Sequence, residues 1–230
     1  MHRYAAYVTE LIGTFFLVFT VGMSLLIGSP LAPLAIGAIL MVMVYAGGHV
    51  SGGHYNPAVT MGALVRRRVE VADAVAYWVV QLVAGLLGAR LAHWAVNPRA
   101  VGTLNLSGRT LLAALLVEAL FTFALVYVML NVATSSSNPN NSFYGLAIGF
   151  TVAAGAIAVG PLSGAAFNPA VTAGIAALGL LAWSTALLYL IVQVLAGVVA
   201  GFAFLALNPD EVRARRVHEE REEHEEAAHP

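Results

Sequence analysis

The chain of 230 residues is 60% apolar and only 10% charged, and its mean hydropathy of +0.82 excludes an ordinary water-soluble domain and indicates a chain solvated by lipid. A formal net charge of −1 excludes the strongly basic surface that nucleic acid recruits, so no nucleic-acid partner is expected. With no cysteine, neither disulfides nor thiol chemistry contribute, and no motif calls for a metal or a cofactor.

The opening Met1-His2-Arg3-Tyr4 lacks the small-residue cleavage site of a secretory signal, and the apolar run behind it predicts a first membrane helix near 5–28 that carries Glu10. A second is predicted near 33–49. The stretch from Gly47 to His54 is rich in glycine and is expected to be extended backbone. Asn56-Pro57-Ala58-Val59-Thr60 then starts a helix, because Asn is a strong N-cap and Pro suits the first helical position. This helix is expected to end near Val65, about 14 Å long, half the hydrocarbon thickness of about 30 Å. It cannot span.

Arg66, Arg67 and Arg68 follow, then a membrane helix near 72–96 and a connection holding Arg99 and Arg109. Three more spans are predicted near 110–132, 143–160 and 182–206, the first of them carrying Glu118. Between the last two, residues 160–166 are expected to be extended and Asn168-Pro169-Ala170-Val171-Thr172 starts a second short helix reaching about Gly179. Residues 208–230 hold eight of the twelve acids and four of the eleven arginines, which predicts a charged appendage outside the bilayer; its His218, His224 and His229 read better as solvated groups than as metal ligands.

The chain is duplicated. The two Asn-Pro-Ala-Val-Thr motifs lie 168 − 56 = 112 residues apart, and at that offset Leu34-Ala35-Ile36-Gly37 matches Leu146-Ala147-Ile148-Gly149, and Ser51-Gly52 matches Ser163-Gly164. Tyr77, Gln81, Ala84 and Gly85 likewise recur as Tyr189, Gln193, Ala196 and Gly197; nearer the start the offset is 108, with Glu10 and Thr14 matching Glu118 and Thr122. The halves cover about 4–96 and 110–207 within a membrane domain of residues 1–207. Three spans per half force the second copy to enter from the opposite side, so the repeats are inverted. With both termini in the cytoplasm, Arg3, Arg66, Arg67, Arg68, Arg213, Arg215, Arg216 and Arg221 lie inside and only Arg90, Arg99 and Arg109 outside, as the positive-inside rule requires.

Two short helices entering from opposite faces would meet N-terminus to N-terminus near the midplane. Non-helical backbone at that depth is tolerated only where protein or a water-filled cavity satisfies it, so the carbonyls of Gly52, Gly53 and His54, and of Gly164, Ala165 and Ala166, are expected to line a pore. Each N-terminus carries roughly half a positive charge, and two of them at about 4 Å, with an effective dielectric of about 20, oppose a cation by ~4 kcal/mol. Asn56 and Asn168 are each expected to cap their own helix through the side-chain oxygen and to donate into the pore through the amide nitrogen. His49 and His54, five residues apart and replaced in the second half by Pro161 and Ala166, are expected to make local hydrogen bonds rather than ligate metal.

On the paired Asn-Pro-Ala, the decapeptide Ser51–Thr60, Glu10 with Glu118 and the 3+3 inverted repeat, residues 4–207 resemble the aquaporin, or major intrinsic protein, family. The resemblance implies an all-α membrane fold of six transmembrane helices and two re-entrant half-helices, assembled as a homotetramer with one pore per subunit. It implies a channel, not an enzyme, whose partners are water, small neutral solutes and the lipid bilayer, in the plasma (cell inner) membrane. It implies that Glu10 and Glu118 hold the re-entrant segments through backbone N–H groups. Counting from the aligned motifs, the outer selectivity filter falls on Ile36, Ala156, Ala165 and Val171. Water-selective members carry arginine at the position of Val171, so this filter is apolar and expected to pass urea, glycerol, hydrogen peroxide or ammonia along with water. The rival readings are a strictly water-selective channel whose filter Arg90, Arg99 or Arg109 completes, a secondary transporter, which also uses inverted repeats and broken helices, and a structural junction protein of the same fold.

Overall fold

In lipid a backbone must satisfy its own hydrogen bonds, and a run of about 20 apolar residues does so as a helix. A computed structural model describes residues 2–211 and contains eight helices within them: α1 (His2–Leu26), α2 (Ala32–Ser51), α3 (Pro57–Val65), α4 (Val71–Val96), α5 (Gly108–Thr134), α6 (Tyr144–Ser163), α7 (Pro169–Ala177) and α8 (Trp183–Leu207). All except α3 and α7 are long and apolar enough to cross a membrane. The chain is an all-helical integral membrane protein with six such spans.

Two expectations are corrected. Residues 47–51 and 160–163 are helical, not extended, because α2 and α6 continue to Ser51 and Ser163. Glycine and proline are poor helix residues in water, but at membrane depth a non-helical backbone forfeits partners that water would otherwise supply. The helices therefore run on through Gly47, Gly48 and even Pro161. They stop at Gly52 (φ 88°) and Gly164 (φ 86°), left-handed caps whose N–H groups donate to Gly48 O and Gly160 O. Such a conformation suits glycine, which carries no Cβ. The irregular segments shorten to 52–56 and 164–168.

Within each half the first and last helices pair, α1 with α4 and α5 with α8, while α2 and α6 pack on each other across the halves. A Cβ on Gly37 would stand 2.5 Å from Gly149 O, so this crossing depends on bare backbone approaching bare backbone. The half-helices are exchanged: α3 lies chiefly against α8 of the other half and α7 against α4. Gly197 meets Ala58 O, and a Cβ on Gly85 would sit 2.8 Å from Ala170 O. Outward faces such as Leu112, Leu116 and Leu120 on α5 are exposed leucine rows, suited to hydrocarbon.

Glu211, past the end of α8, packs on the helical body rather than standing in solvent. Its carboxylate accepts from Arg66 Nη2 at 2.9 Å and from the Ser136 amide. The Arg66 guanidinium also donates to Thr134 Oγ1 and Thr134 O, each at 2.7 Å, and lies 4.4 Å above the Phe204 ring. His218, His224 and His229 lie outside the described residues.

Candidate functional site: the re-entrant pore

Each half-helix begins as its sequence predicts. Asn56 Oδ1 accepts from Ala58 N at 2.8 Å, and Asn168 Oδ1 accepts from Ala170 N at 2.8 Å and Val171 N at 3.5 Å. Their amide nitrogens do more than face a lumen. Asn56 Nδ2 donates to Phe167 O at 3.0 Å and Asn168 Nδ2 to Tyr55 O at 2.9 Å, so one proton of each carboxamide clasps the opposite half. The second is left for the pore. Tyr55 and Phe167 hold their carbonyls in place from left-handed backbone (φ 49° each), as does Ala165 (φ 50°). Bulky residues adopt that conformation only where surrounding contacts hold them there.

Those contacts come from two buried carboxylates. Glu10 accepts from His54 N at 2.9 Å, Tyr55 N at 2.7 Å, Ser51 Oγ at 2.7 Å and Gln81 Nε2 at 2.8 Å. Glu118 repeats the pattern with Ala166 N at 3.0 Å, Phe167 N at 2.8 Å, Ser163 Oγ at 2.8 Å and Gln193 Nε2 at 2.9 Å. Both glutamates are fully buried, and four donors apiece satisfy an acceptor that an apolar interior would otherwise penalise heavily. Tyr77 and Tyr189 complete the frame by donating to Ser51 O and Ser163 O at 2.7 and 2.9 Å.

One difference between the halves lies at His54. His54 Nδ1 lies 3.1 Å from Thr60 Oγ1, and the ring meets Tyr77 edge-on. In the second half Ala166 leaves Thr172 Oγ1 free to donate to Gln193 Oε1 at 3.1 Å, whereas Gln81 Oε1 has no protein partner. His49 is exposed and apart from this network. Among the described residues no group of three His, Asp or Glu side chains is placed to hold a metal.

Three cavities lie in file. The inner vestibule, about 860 Å³, is rimmed by Arg3, His49, Arg68, Asp73 and residues of the 133–142 connection. A central space of about 30 Å³ lies between Asn56 and Asn168, room for two or three water centres at roughly 10–15 Å³ each. His54 lines both of these. The outer cavity, about 330 Å³, shares Leu25, Ile36, Gly164 and Ala165 with the central one.

Of the four positions assigned to the outer filter, Ile36, Ala156 and Ala165 line the outer cavity, and Val171 lines the central one beside Ile36 and Ala165. Gly53, His54, Gly164, Ala165 and Ala166 wall the central space, and Gly52 belongs to the inner vestibule. Arg90, Arg99 and Arg109 are exposed and line neither the central nor the outer cavity. Leu104 lines the outer cavity instead. Sequence reasoning missed it because it lies in the connection between the halves, where the repeat offers no counterpart. The Tyr77 and Tyr189 contacts were also missed, although their recurrence at the 112-residue offset was a signal.

The sequence matches the model of the family described as Major intrinsic protein over residues 1–204, with a second match over 146–225. It is 41% identical over 204 residues to glycerol uptake facilitator protein-like 6 of Lactiplantibacillus plantarum, covering 83% of this chain and 90% of that protein. It is 35% identical over 182 residues to aquaporin TIP2-3 of Zea mays, covering 72% of each. Its fold resembles the X-ray structure of the aquaglyceroporin from Plasmodium falciparum with a TM-score of 0.72 at 19% identity, over 86% of this chain and 94% of that one. On the exchanged half-helices, the paired asparagine caps and these matches together, the chain belongs to the major intrinsic protein family.

Proposed function

We propose that this protein is a passive channel for water and small uncharged solutes, with urea, glycerol, hydrogen peroxide and ammonia among them, and that it excludes ions and protons. The observation that carries the reading is the file of three cavities, the central one lying between the Asn56 and Asn168 caps, with no charged side chain on the central or outer stretch. The positive ends of α3 and α7 oppose cations there. The remaining amide protons of Asn56 and Asn168 turn a passing water so that its oxygen accepts from both, which interrupts a continuous donor chain. Carbonyls of residues 52–54 and 164–166 offer acceptors on either side.

Ile36, Ala156, Ala165 and Val171 provide no fixed donor, so neutral solutes larger than water are not turned away by a guanidinium. A coupled transporter is disfavoured because Glu10 and Glu118, the buried carboxylates inside the spans, each hold four donors and are committed to the frame. The assembly is a homotetramer in the cell's inner membrane with both termini cytoplasmic.

Stopped-flow measurements on proteoliposomes test this. Water, urea and glycerol are each expected to cross faster than through bare lipid, without saturation. Val171→Arg is expected to lower urea and glycerol flux at least about tenfold while leaving water within about threefold, because the guanidinium narrows the lumen and adds donors that water alone matches. Passage of water with neither solute through the unaltered protein overturns the broad-selectivity reading.

A further inference from the structure

We propose that Met129 is an oxidation site at the neck of the pore, where hydrogen peroxide converts its thioether to the sulfoxide and throttles the channel. The inference rests on the channel reading, in which peroxide is a permeant. Of the residues that wall the inner vestibule and the central space, His54 and Met129 belong to both, so these two frame the passage from one to the other. Met129 stands on α5 in the buried stripe of Glu118, Thr122, Leu125 and Met129, and Leu125, one turn before it, walls the central space as well. The passage is tight, because the space it opens into holds about 30 Å³. A solute in file there moves against the side chains that frame it.

Sulfur is what sets Met129 apart from its apolar neighbours. The chain has no cysteine, and among the described residues Met129 is the one sulfur-bearing side chain on the three cavities; Met23, Met41, Met43 and Met61 line none of them. A thioether lone pair attacks one oxygen of hydrogen peroxide, and the O–O bond breaks. The proton on the transferred oxygen passes to the departing hydroxide, which leaves as water, so sulfur gives up two electrons and the peroxide takes them. The product is methionine sulfoxide, a polar side chain where an apolar one stood. The added oxygen fills about the room of one water, out of the two or three that the central space holds. It also accepts hydrogen bonds, which detains a water in the file. Flux therefore falls after peroxide has passed in quantity, and the channel limits its own oxidant traffic.

The test uses the full chain in proteoliposomes of saturated lipid. Water permeability is measured by stopped flow before and after treatment with hydrogen peroxide, sulfoxide is located by peptide mass spectrometry, and peroxide entry is followed with a fluorogenic probe sealed inside. Met129 is expected to oxidise about threefold or more faster than Met23, Met41, Met43 and Met61, since susceptibility follows access to the oxidant. Water permeability is expected to fall about threefold or more as Met129 converts, because the narrow stretch sets the flux. In Met129→Leu, which removes the sulfur and nearly keeps the volume, treatment should not change the permeability that this variant starts with. Met129→Gln, with a fixed polar group at that place, is expected to start low without peroxide; should it fail to insert, the oxidation series still decides. An intact Met129 in channels that carry peroxide overturns the site and leaves the channel reading standing. Oxidation of Met129 without loss of water flux, or an equal loss in Met129→Leu, overturns the throttle. Oxidation without peroxide entry supports a site reached from the vestibule and removes peroxide from the permeants. Neither oxidation nor entry overturns both.

Discussion

At the scale of single residues, the re-entrant segments are held by two carboxylates that line none of the three cavities. Glu10 receives two backbone N–H groups, a hydroxyl and an amide. In Glu10→Gln the new NH₂ faces donors in place of an acceptor, leaving at least one buried N–H unpaired. Each such group costs about 1–3 kcal/mol. Glu10→Gln and Glu118→Gln are each expected to lose about 2–4 kcal/mol of stability, read as a lower midpoint of thermal unfolding in detergent, with flux lost in parallel. A variant that melts like the parent would show that the segments 52–56 and 164–168 hold their shape without the carboxylates. The asparagine caps and both glutamates were legible because each pair recurs at corresponding places of a duplicated sequence. The clasp from each Asn Nδ2 to the opposite carbonyl was not, since it joins residues 111 and 113 apart that fall on different halves.

At the scale of elements, the half-helices sit where glycine lets them. A methyl group on Gly85 would stand 2.8 Å from Ala170 O, and one on Gly197 would meet Ala58 O. Gly85→Ala and Gly197→Ala are therefore expected to displace α7 and α3, at about 1–3 kcal/mol each from overpacking, and to depress water permeability. Gly102→Ala, with open space around it, should change neither quantity. Helix existence was readable from apolar run length, and the half-helices from Asn-Pro. The ends of α2 and α6 were not, because Gly47, Gly48 and Pro161 look like breakers by propensity. That propensity is measured in water, and the demand for backbone partners in lipid overrides it.

At the scale of the whole molecule, the segment that follows α8 is fastened to the helical body through Glu211. Glu211 is drawn up by burial but more strongly down by the Ser136 amide and the Arg66 guanidinium, so its carboxyl titrates below the ordinary 4.5. A depressed carboxyl contributes stability that is present above that ordinary value and is lost as pH falls through the folded one. Glu211→Gln is expected to lower the unfolding midpoint at pH 7 by the equivalent of about 1 kcal/mol, solvent screening included. The difference from the parent should vanish at a pH below the folded value; a gap of constant size at all pH values would show that packing, not charge, carries it. This contact could not be read from the sequence, which presents residues 208–230 as one charged run, and the link from Arg66 to Glu211 spans most of the chain.

The reciprocal grip of the two asparagines also bears on biogenesis. A ribosome releases the first four helices before their mates exist, so the carboxamide of Asn56 and the carbonyl of Tyr55 wait without their opposite-half partners. Neither copy can finish its own interior alone. Assembly is therefore complete only when the later copy has been threaded from the other leaflet and locked in register. A nascent chain halted between the copies would carry bare polar groups within the bilayer, at a cost that only the second copy removes.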